Sequence, residues 1–123
     1  MVATSLVVVV DDDESVRESL PDLLVELGYA VDTFDSAEAF MVSDLVDDTG
    51  CLLLDIALPG MKGPELQDEL ARRGIDIPIV FITANRDAAV RTRLMQRGAA
   101  EVLFKPFSDT ALLDAITAAM AGR

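Results

Sequence analysis

Five short apolar runs recur along the chain, and a stretch long enough to form a helix separates each run from the next. The runs cover residues 6–10, 30–34, 51–54, 78–82 and 101–104. Runs of this length that are rich in branched side chains are typical of strands buried on both faces. Their alternation with helices predicts consecutive βα units, and therefore a parallel sheet with helices on both sides.

The intervening stretches carry the start and stop signals of helices. Segments 14–27, 64–73 and 86–97 each end directly before a glycine, a residue that commonly closes a helix. Ser36 and Ser108 are predicted N-caps of two further helices. Pro21 lies inside the first helix pattern, where it is expected either to bend the helix or to shift its first turn.

The predicted fold is α/β: a flavodoxin-like doubly wound (βα)5 domain with a parallel five-stranded sheet. Right-handed crossovers restrict the topologies that such units can adopt. The strand order 2-1-3-4-5 is taken by analogy with flavodoxin-like sheets. A chain of 123 residues is the size of one compact domain, so residues 1–123 are predicted to form a single domain.

The composition excludes several classes of function. The formal net charge is −12, and a field of that sign disfavours direct binding to nucleic acid or to a membrane surface. No early apolar run is long enough for a membrane span or a signal peptide, which favours a cytoplasmic location. The absence of histidine excludes Ser-His and Cys-His catalysis and any phosphohistidine on this chain. Cys51 heads an apolar run and is predicted to be a buried structural thiol.

Polar residues follow the apolar runs at the predicted ends of the strands. In an open α/β sheet the ligand crevice lies outside the carboxyl ends of the strands, so these are the candidate functional residues. The strand order places Asp11 and Asp12 on one side of Asp55 and Thr83 on the other. Lys105, two strands away, can reach the same place along its flexible stem.

These residue types suit phosphoryl transfer to a carboxylate. Clustered carboxylates repel one another and shift toward protonation unless a cation joins them, and a site built from oxygen ligands suits Mg²⁺ or Mn²⁺. Asp11, Asp12 and Asp55 are therefore predicted to bind Mg²⁺. A carboxylate nucleophile beside a hard cation is equipped to form an aspartyl phosphate on Asp55. Lys105 would neutralise the phosphoryl oxygens, and the Thr83 hydroxyl would donate one hydrogen bond to them.

The segments VVVVDDDESVRESL, LLLDIALPGMKG, VFITA and FKPF together resemble the receiver domain of two-component response regulators. The resemblance covers essentially the whole chain, and GCLLLDIALPGMKG and ARRGIDIPIVFITA resemble the nitrogen-fixation regulator type, whose output domain binds DNA. It implies metal binding by Asp11 and Asp12, phosphorylation of Asp55, a switch hydroxyl on Thr83, and contact of Lys105 with the phosphoryl group.

The resemblance also implies further features of the site and its partners. The backbone carbonyl of Ala57 would be an additional metal ligand, and the Lys105–Pro106 peptide would be cis. A sensor histidine kinase would donate the phosphoryl group. A DNA-binding output domain or a downstream protein would receive the signal from a surface formed by the fourth helix, fifth strand and fifth helix. The resemblance also allows a homodimer that forms on phosphorylation. The chain would catalyse only its own phosphorylation and dephosphorylation.

One position departs from the pattern of this family. Most receivers carry Tyr or Phe three residues before the lysine, and this chain has Val102 there. The aromatic side chain normally swings inward as the threonine moves toward the phosphoryl group, so Val102 leaves the readout open. Phe104 is a candidate substitute, but strand alternation points it away from the side of Lys105, and we do not expect it to take that role.

The fourth predicted helix is rich in arginine, with Asp87 as its single acid. Helical spacing places Arg86, Arg93 and Arg97 on nearly one line, with Arg91 nearby. A solvated helix face is the ordinary interpretation of such a charge run. The alternative is a docking or dimer surface for an acidic partner.

Two other functions remain open at this point. The first is an interaction module that signals without regulated phosphorylation, which Val102 makes worth considering. The second is a Mg²⁺-dependent phosphohydrolase that passes through an aspartyl phosphate. Such enzymes usually place a second acid two residues after the nucleophile, where this chain has Ala57, so the second function is disfavoured. Asp13 and Glu14 are interpreted as acids that cap the first helix.

Overall fold

Five parallel strands form the centre of the computed structural model, which describes residues 6–122. The strands are β1 (Leu6–Val10), β2 (Ala30–Phe34), β3 (Cys51–Asp55), β4 (Ile79–Thr83) and β5 (Glu101–Phe104). The helices are α1 (Glu14–Glu26), α2 (Ala37–Met41), α3 (Gly63–Arg72), α4 (Ala88–Gln96) and α5 (Asp109–Ala121), with a 3-10 turn at Val46–Asp48. The strand order is 2-1-3-4-5, so the predicted flavodoxin-like fold is confirmed.

The strands are apolar on both faces because helices cover both sides of the sheet. Val8 and Leu52 point into an apolar cluster that includes residues of α2, α3 and α4. Val7 and Leu53 point into the opposite cluster, which includes residues of α1 and α5. Cys51 belongs to this second cluster and is buried, as predicted. Between residues 6 and 122, no helix combines the length and the apolar sequence needed to cross a membrane.

Side-chain caps fix the starts of four helices, and those of α1, α2 and α5 lie where the sequence predicts them. Asp13, Ser36 and Ser108 each accept a hydrogen bond from a backbone N–H in the first turn of their helix. The predicted serine caps are therefore confirmed, as is the capping role of Asp13. Helix α1 begins at Glu14 and continues past Pro21, so the proline does not shift the first turn.

The predicted start of the fourth helix is wrong by two residues. Asp87 accepts a hydrogen bond from the N–H of Ala89 at 2.9 Å and so caps a helix that begins at Ala88. Arg86 therefore lies in the loop before α4, and the predicted line of three arginines does not form on one helix. The other predicted helix and strand boundaries differ from the observed ones by at most one residue.

The remaining arginines of this region do not form a continuous unpaired basic face. Arg91 forms an ion pair with Glu101 at 2.8 Å, and Arg97 forms one with Asp68. Arg93 is exposed and has no ion pair within the part of the chain that the structure describes. Two of the predicted charges are thus already balanced within the domain.

Helix α3 begins at Gly63, which packs directly against the end of β3. A Cβ atom at Gly63 would lie 2.5 Å from the carbonyl oxygen of Asp55 and 3.1 Å from both Ile56 Cα and Phe81 Cε1. The Gly63 N–H donates to the Ile56 carbonyl at 3.1 Å, which holds the two segments together. Only glycine allows this approach, because the closest atom is a backbone oxygen that cannot move aside as a flexible side chain would.

Replacing Gly63 should therefore destabilise the fold. We expect Gly63→Ala to lower the free energy of unfolding by about 1–3 kcal/mol, because overpacking against a backbone atom forces a shift of α3. Urea unfolding followed by circular dichroism measures the change. Gly122→Ala is the matched control, because a Cβ there would lie 3.7 Å from its nearest neighbours. Equal stability of the two variants would contradict this packing argument.

Candidate functional site

Three carboxylates meet at the carboxyl edge of the sheet. Asp11 directly follows β1, Asp12 is the next residue, and Asp55 ends β3. One carboxylate oxygen from each lies within 4.8 Å of the others. The parallel register pairs Val10 with Leu54, so Asp11 and Asp55 stand side by side. Asp11 and Asp55 are buried, whereas Asp12 is exposed.

Lys105 and Thr83 complete the polar lining of the same cleft, which has a volume of about 380 Å³. Lys105 Nζ lies 3.0 Å from Asp11 Oδ2, so its direct partner is Asp11 rather than Asp55. Thr83 is buried at the end of β4, and its Oγ1 accepts a hydrogen bond from the N–H of Asn85 at 3.0 Å. The Lys105–Pro106 peptide is cis. The structure thus brings all the predicted side chains to one place.

Asp11 has a hydrogen-bond donor for each of its carboxylate oxygens. The N–H of Asp13 donates to Oδ1 at 2.9 Å, and Lys105 donates to Oδ2. Arg17, which the sequence analysis did not single out, donates from Nη1 to the Asp11 backbone carbonyl at 2.9 Å. A buried carboxylate needs such partners because burial without them is costly. Both carboxylate oxygens of Asp11 are therefore held in place.

The loop after β3 is shaped by contacts around Asp55. The N–H of Ala57 donates to Asp55 Oδ1 at 3.3 Å, which orients the carboxylate. Ala57 itself lines the cleft, and its carbonyl stays a predicted metal ligand. Lys62 Nζ donates to the carbonyl of Leu58 at 3.0 Å, so Lys62 stabilises the loop and does not face Asp55.

Glu38 is a second residue that the sequence analysis missed. Its Oε2 accepts a hydrogen bond from the N–H of Met61 at 2.9 Å, and the carboxylate lies against Gly60, whose φ is 69°. This hydrogen bond is the main reason that the pKa of Glu38 is lowered. No local sequence signal predicts the contact, because the two partners are 23 residues apart.

The electrostatics of the cleft favour a bound cation. Burial, followed by the negative charge of Asp11, raises the pKa of Asp55, and the positive charge of Lys105 opposes this only in part. Carboxylate oxygens are ligands that suit hard divalent cations such as Mg²⁺ and Mn²⁺. One oxygen from each of the three carboxylates lies within 4.8 Å of the others, which is close enough for one ion to draw all three together. The residues present therefore fit one divalent ion.

Comparison with known proteins points to one family. The family described as "Response regulator receiver domain" matches residues 7–117. Nodulation protein W of Bradyrhizobium diazoefficiens is 47% identical over 115 residues, which cover 94% of this chain and 51% of that protein. Transcriptional regulatory protein FixJ of Azorhizobium caulinodans is 40% identical over 112 residues, which cover 91% of this chain and 53% of that protein.

A solved structure gives the same result. The crystal structure of FixJ-N superposes with a TM-score of 0.87 at 37% sequence identity, covering 100% of this chain and 98% of that one. This chain spans about half the length of the curated relatives it matches.

The raised pKa of Asp55 predicts how stability depends on pH without metal. A folded-state pKa above the unfolded value means that the native state keeps its proton to higher pH. Stability is therefore lost as pH rises from the ordinary carboxyl range, near 4, through the folded pKa. At pH 7.5 in EDTA, Asp55→Asn should be more stable than wild type by roughly 1 kcal/mol, or about 4 °C in melting temperature.

Thermal melts at several pH values and metal concentrations measure this effect. The difference should shrink as pH falls toward 4, and Mg²⁺ should raise the melting temperature of wild type more than that of Asp55→Asn. Asp114→Asn, which removes one exposed acid from α5, is the control for net charge. If Asp114→Asn stabilises the domain as much as Asp55→Asn does, the effect does not come from the cleft.

Proposed function

The chain belongs to the family of response regulator receiver domains, and we propose that it accepts a phosphoryl group on Asp55 from a partner histidine kinase in a Mg²⁺-dependent reaction. The observation that carries the proposal is the cluster of Asp11, Asp12 and Asp55 with Lys105 in one cleft. This set combines a carboxylate nucleophile with ligands for a hard cation and with a fixed positive charge. We further propose that residues 1–123 act as one receiver domain.

The metal would be held by the acids of the cleft. Asp11, Asp12 and Asp55 would be its side-chain ligands, the Ala57 carbonyl would be a backbone ligand, and Mn²⁺ would suit the same oxygens. When bound, the ion supplies positive charge that offsets the charge of the phosphoryl oxygens.

The chain's own residues divide the rest of the reaction between them. A carboxylate oxygen of Asp55 attacks phosphorus, forming a P–O bond as the P–N bond of the partner's phosphohistidine breaks and its electron pair stays on the imidazole nitrogen. The Ala57 N–H holds Asp55 Oδ1, which leaves Oδ2 to react. Lys105, already in the cleft on Asp11, gains the phosphoryl group as a second anionic partner. The Thr83 hydroxyl donates one further hydrogen bond.

The signal would leave through the surface of α4, β5 and α5. Relatives named transcriptional regulators suggest, for a longer protein, a DNA-binding output domain or a downstream protein as the recipient. A homodimer that forms on phosphorylation would use the same surface. We place this chain in the cytoplasm. Its net charge of −12 opposes direct binding of this chain to nucleic acid or to a membrane surface.

One observation supports a second candidate function. Val102 is 4% exposed and packs in an apolar cluster, so it offers neither a ring nor a polar group for a conventional readout. An interaction module that signals without phosphorylation would need neither. A phosphohydrolase acting on an external substrate is less well supported, because the residue two positions after Asp55 is Ala57, which cannot act as a general acid.

Incubation with Mg²⁺ and acetyl phosphate tests the proposal. Wild type should gain one base-labile phosphoryl group on Asp55, measured by mass spectrometry of the intact protein and of its peptides. EDTA and Asp55→Asn should each abolish the adduct, because one removes the cation and the other the nucleophile. Asp114→Asn should leave the adduct unchanged, since Asp114 is exposed on α5.

Three other outcomes of this experiment and of a phosphatase assay would point away from a phosphorylated receiver. An adduct that persists in Asp55→Asn, or none in wild type, would rule out phosphorylation at this residue. Absence of the adduct together with an intact fold would favour the interaction module. Continuous release of phosphate from p-nitrophenyl phosphate that depends on Asp55 would favour the phosphohydrolase.

A further inference from the structure

Arg86 connects the loop after β4 to the end of β5. Its guanidinium lies 5.7 Å from the centroid of the Phe104 ring, and its Nη2 donates to the carbonyl of Lys105 at 3.3 Å. A guanidinium over an aromatic face is attracted by the negative charge of the ring's π electrons. One exposed side chain thus contacts both the last residue of β5 and the lysine of the cleft.

Hydrogen bonds between residues close in sequence hold the loop that carries Arg86. The N–H of Asn85 donates to Thr83 Oγ1 at 3.0 Å, and the N–H of Asp87 donates to Asn85 Oδ1 at 3.0 Å. Asp87 in turn caps α4 through the N–H of Ala89. A displacement of the Thr83 side chain therefore moves the anchor of the whole loop and, through Asp87, the start of α4.

The hydroxyl of Thr83 still has a proton to donate. Its oxygen accepts the bond from Asn85, and across residues 6–122 no hydrogen bond is found in which the hydroxyl is the donor. Thr83 directly follows Ile82, which pairs with Asp55 in the neighbouring strand. Phosphoryl oxygens on Asp55 would be strong acceptors beside this hydroxyl. Donation to them would draw Thr83, and with it the loop, toward Asp55.

Phe104 lies on the side of β5 where a readout residue is needed. Val102 and Phe104 both pack against the apolar cluster that includes Phe81 and Leu94, as strand alternation requires of residues two apart. Phe104 points away from the side of Lys105, but so does residue 102, the position at which the family usually carries its aromatic residue. The direction of Phe104 is therefore compatible with a readout role. Phe104 therefore stays a candidate for the readout residue of β5.

We propose that Arg86, held on Phe104, transmits the phosphorylation of Asp55 from the Thr83 loop to β5. The contact between Arg86 and Phe104 stabilises the unphosphorylated arrangement, and it breaks when Thr83 turns to the phosphoryl group. Arg86 is thus a positioning residue that acts through Phe104 and the Lys105 backbone. The inference rests on the proposed phosphorylation of Asp55 and names the element that senses it.

Arg86→Ala tests the inference in the intact chain. Removing an exposed cation–π contact from the unphosphorylated state should speed phosphorylation by acetyl phosphate and Mg²⁺ about threefold. The amide NMR signals of residues 102–105 in the unphosphorylated variant should move toward their positions in phosphorylated wild type. Arg93→Ala is the matched control, an exposed arginine of α4 with no ion pair in residues 6–122, and should change neither measurement.

A second variant separates the contact from a general effect of charge. Phe104→Leu keeps an apolar side chain but removes the ring, so it should speed phosphorylation as Arg86→Ala does, and the double variant should show no further increase. Arg86→Ala that behaves like Arg93→Ala, while the Asp55 adduct still forms, would overturn this inference alone. Absence of the adduct in wild type would overturn the proposed function and the inference with it.

Discussion

The repulsion between two buried carboxylates is the constraint on which the rest of the site depends. Asp11 and Asp55 end neighbouring parallel strands, and the register of the sheet prevents them from moving apart. Burial, followed by the negative charge of Asp11, raises the pKa of Asp55, and Lys105, which binds Asp11, opposes this only in part. A divalent cation relieves this imbalance, and a phosphoryl group then adds charge that the cation and Lys105 can share. The proposed metal binding and the proposed phosphorylation would thus both depend on the buried, negatively charged cleft.

The two sides of the cleft differ in how firmly the fold holds them. On the β1 and β3 side, Asp11 is bonded at both oxygens and Gly63 packs against the Asp55 backbone without space to spare. On the β4 side, residues 84–89 are exposed, and side-chain-to-backbone hydrogen bonds connect this loop. Such bonds exchange with water at little net cost. The acceptor therefore stays in place while the neighbouring loop is able to respond.

The sequence alone predicted the features of the fold and of the cleft that depend on strand ends and on local helix caps. The apolar runs located all five strands, and the polar residues after them identified the acids of the cleft. The strand order came from analogy, since crossover rules alone leave several orders open. Contacts made by loops were out of reach: Glu38 with Met61, and Lys105 with Asp11 instead of Asp55, depend on tertiary geometry between distant segments. The start of α4 was misplaced because Asp87 was counted as an acid within the helix and not as its N-cap.

With Val102 in place of an aromatic residue, we expect the response of β5 to phosphorylation to be weaker but not lost. An aromatic residue buried at that position would couple the cleft to β5 through packing, whereas Arg86 couples them through an exposed contact that salt screens. Coupling is reciprocal, so a partner that binds the proposed α4–β5 surface would shift the phosphorylation equilibrium by the same factor by which phosphorylation shifts that binding. With a weak internal contact, the proposed unphosphorylated and phosphorylated arrangements would lie close in free energy. Most of the discrimination between them would then come from the partner that binds the proposed surface, and less from the isolated domain.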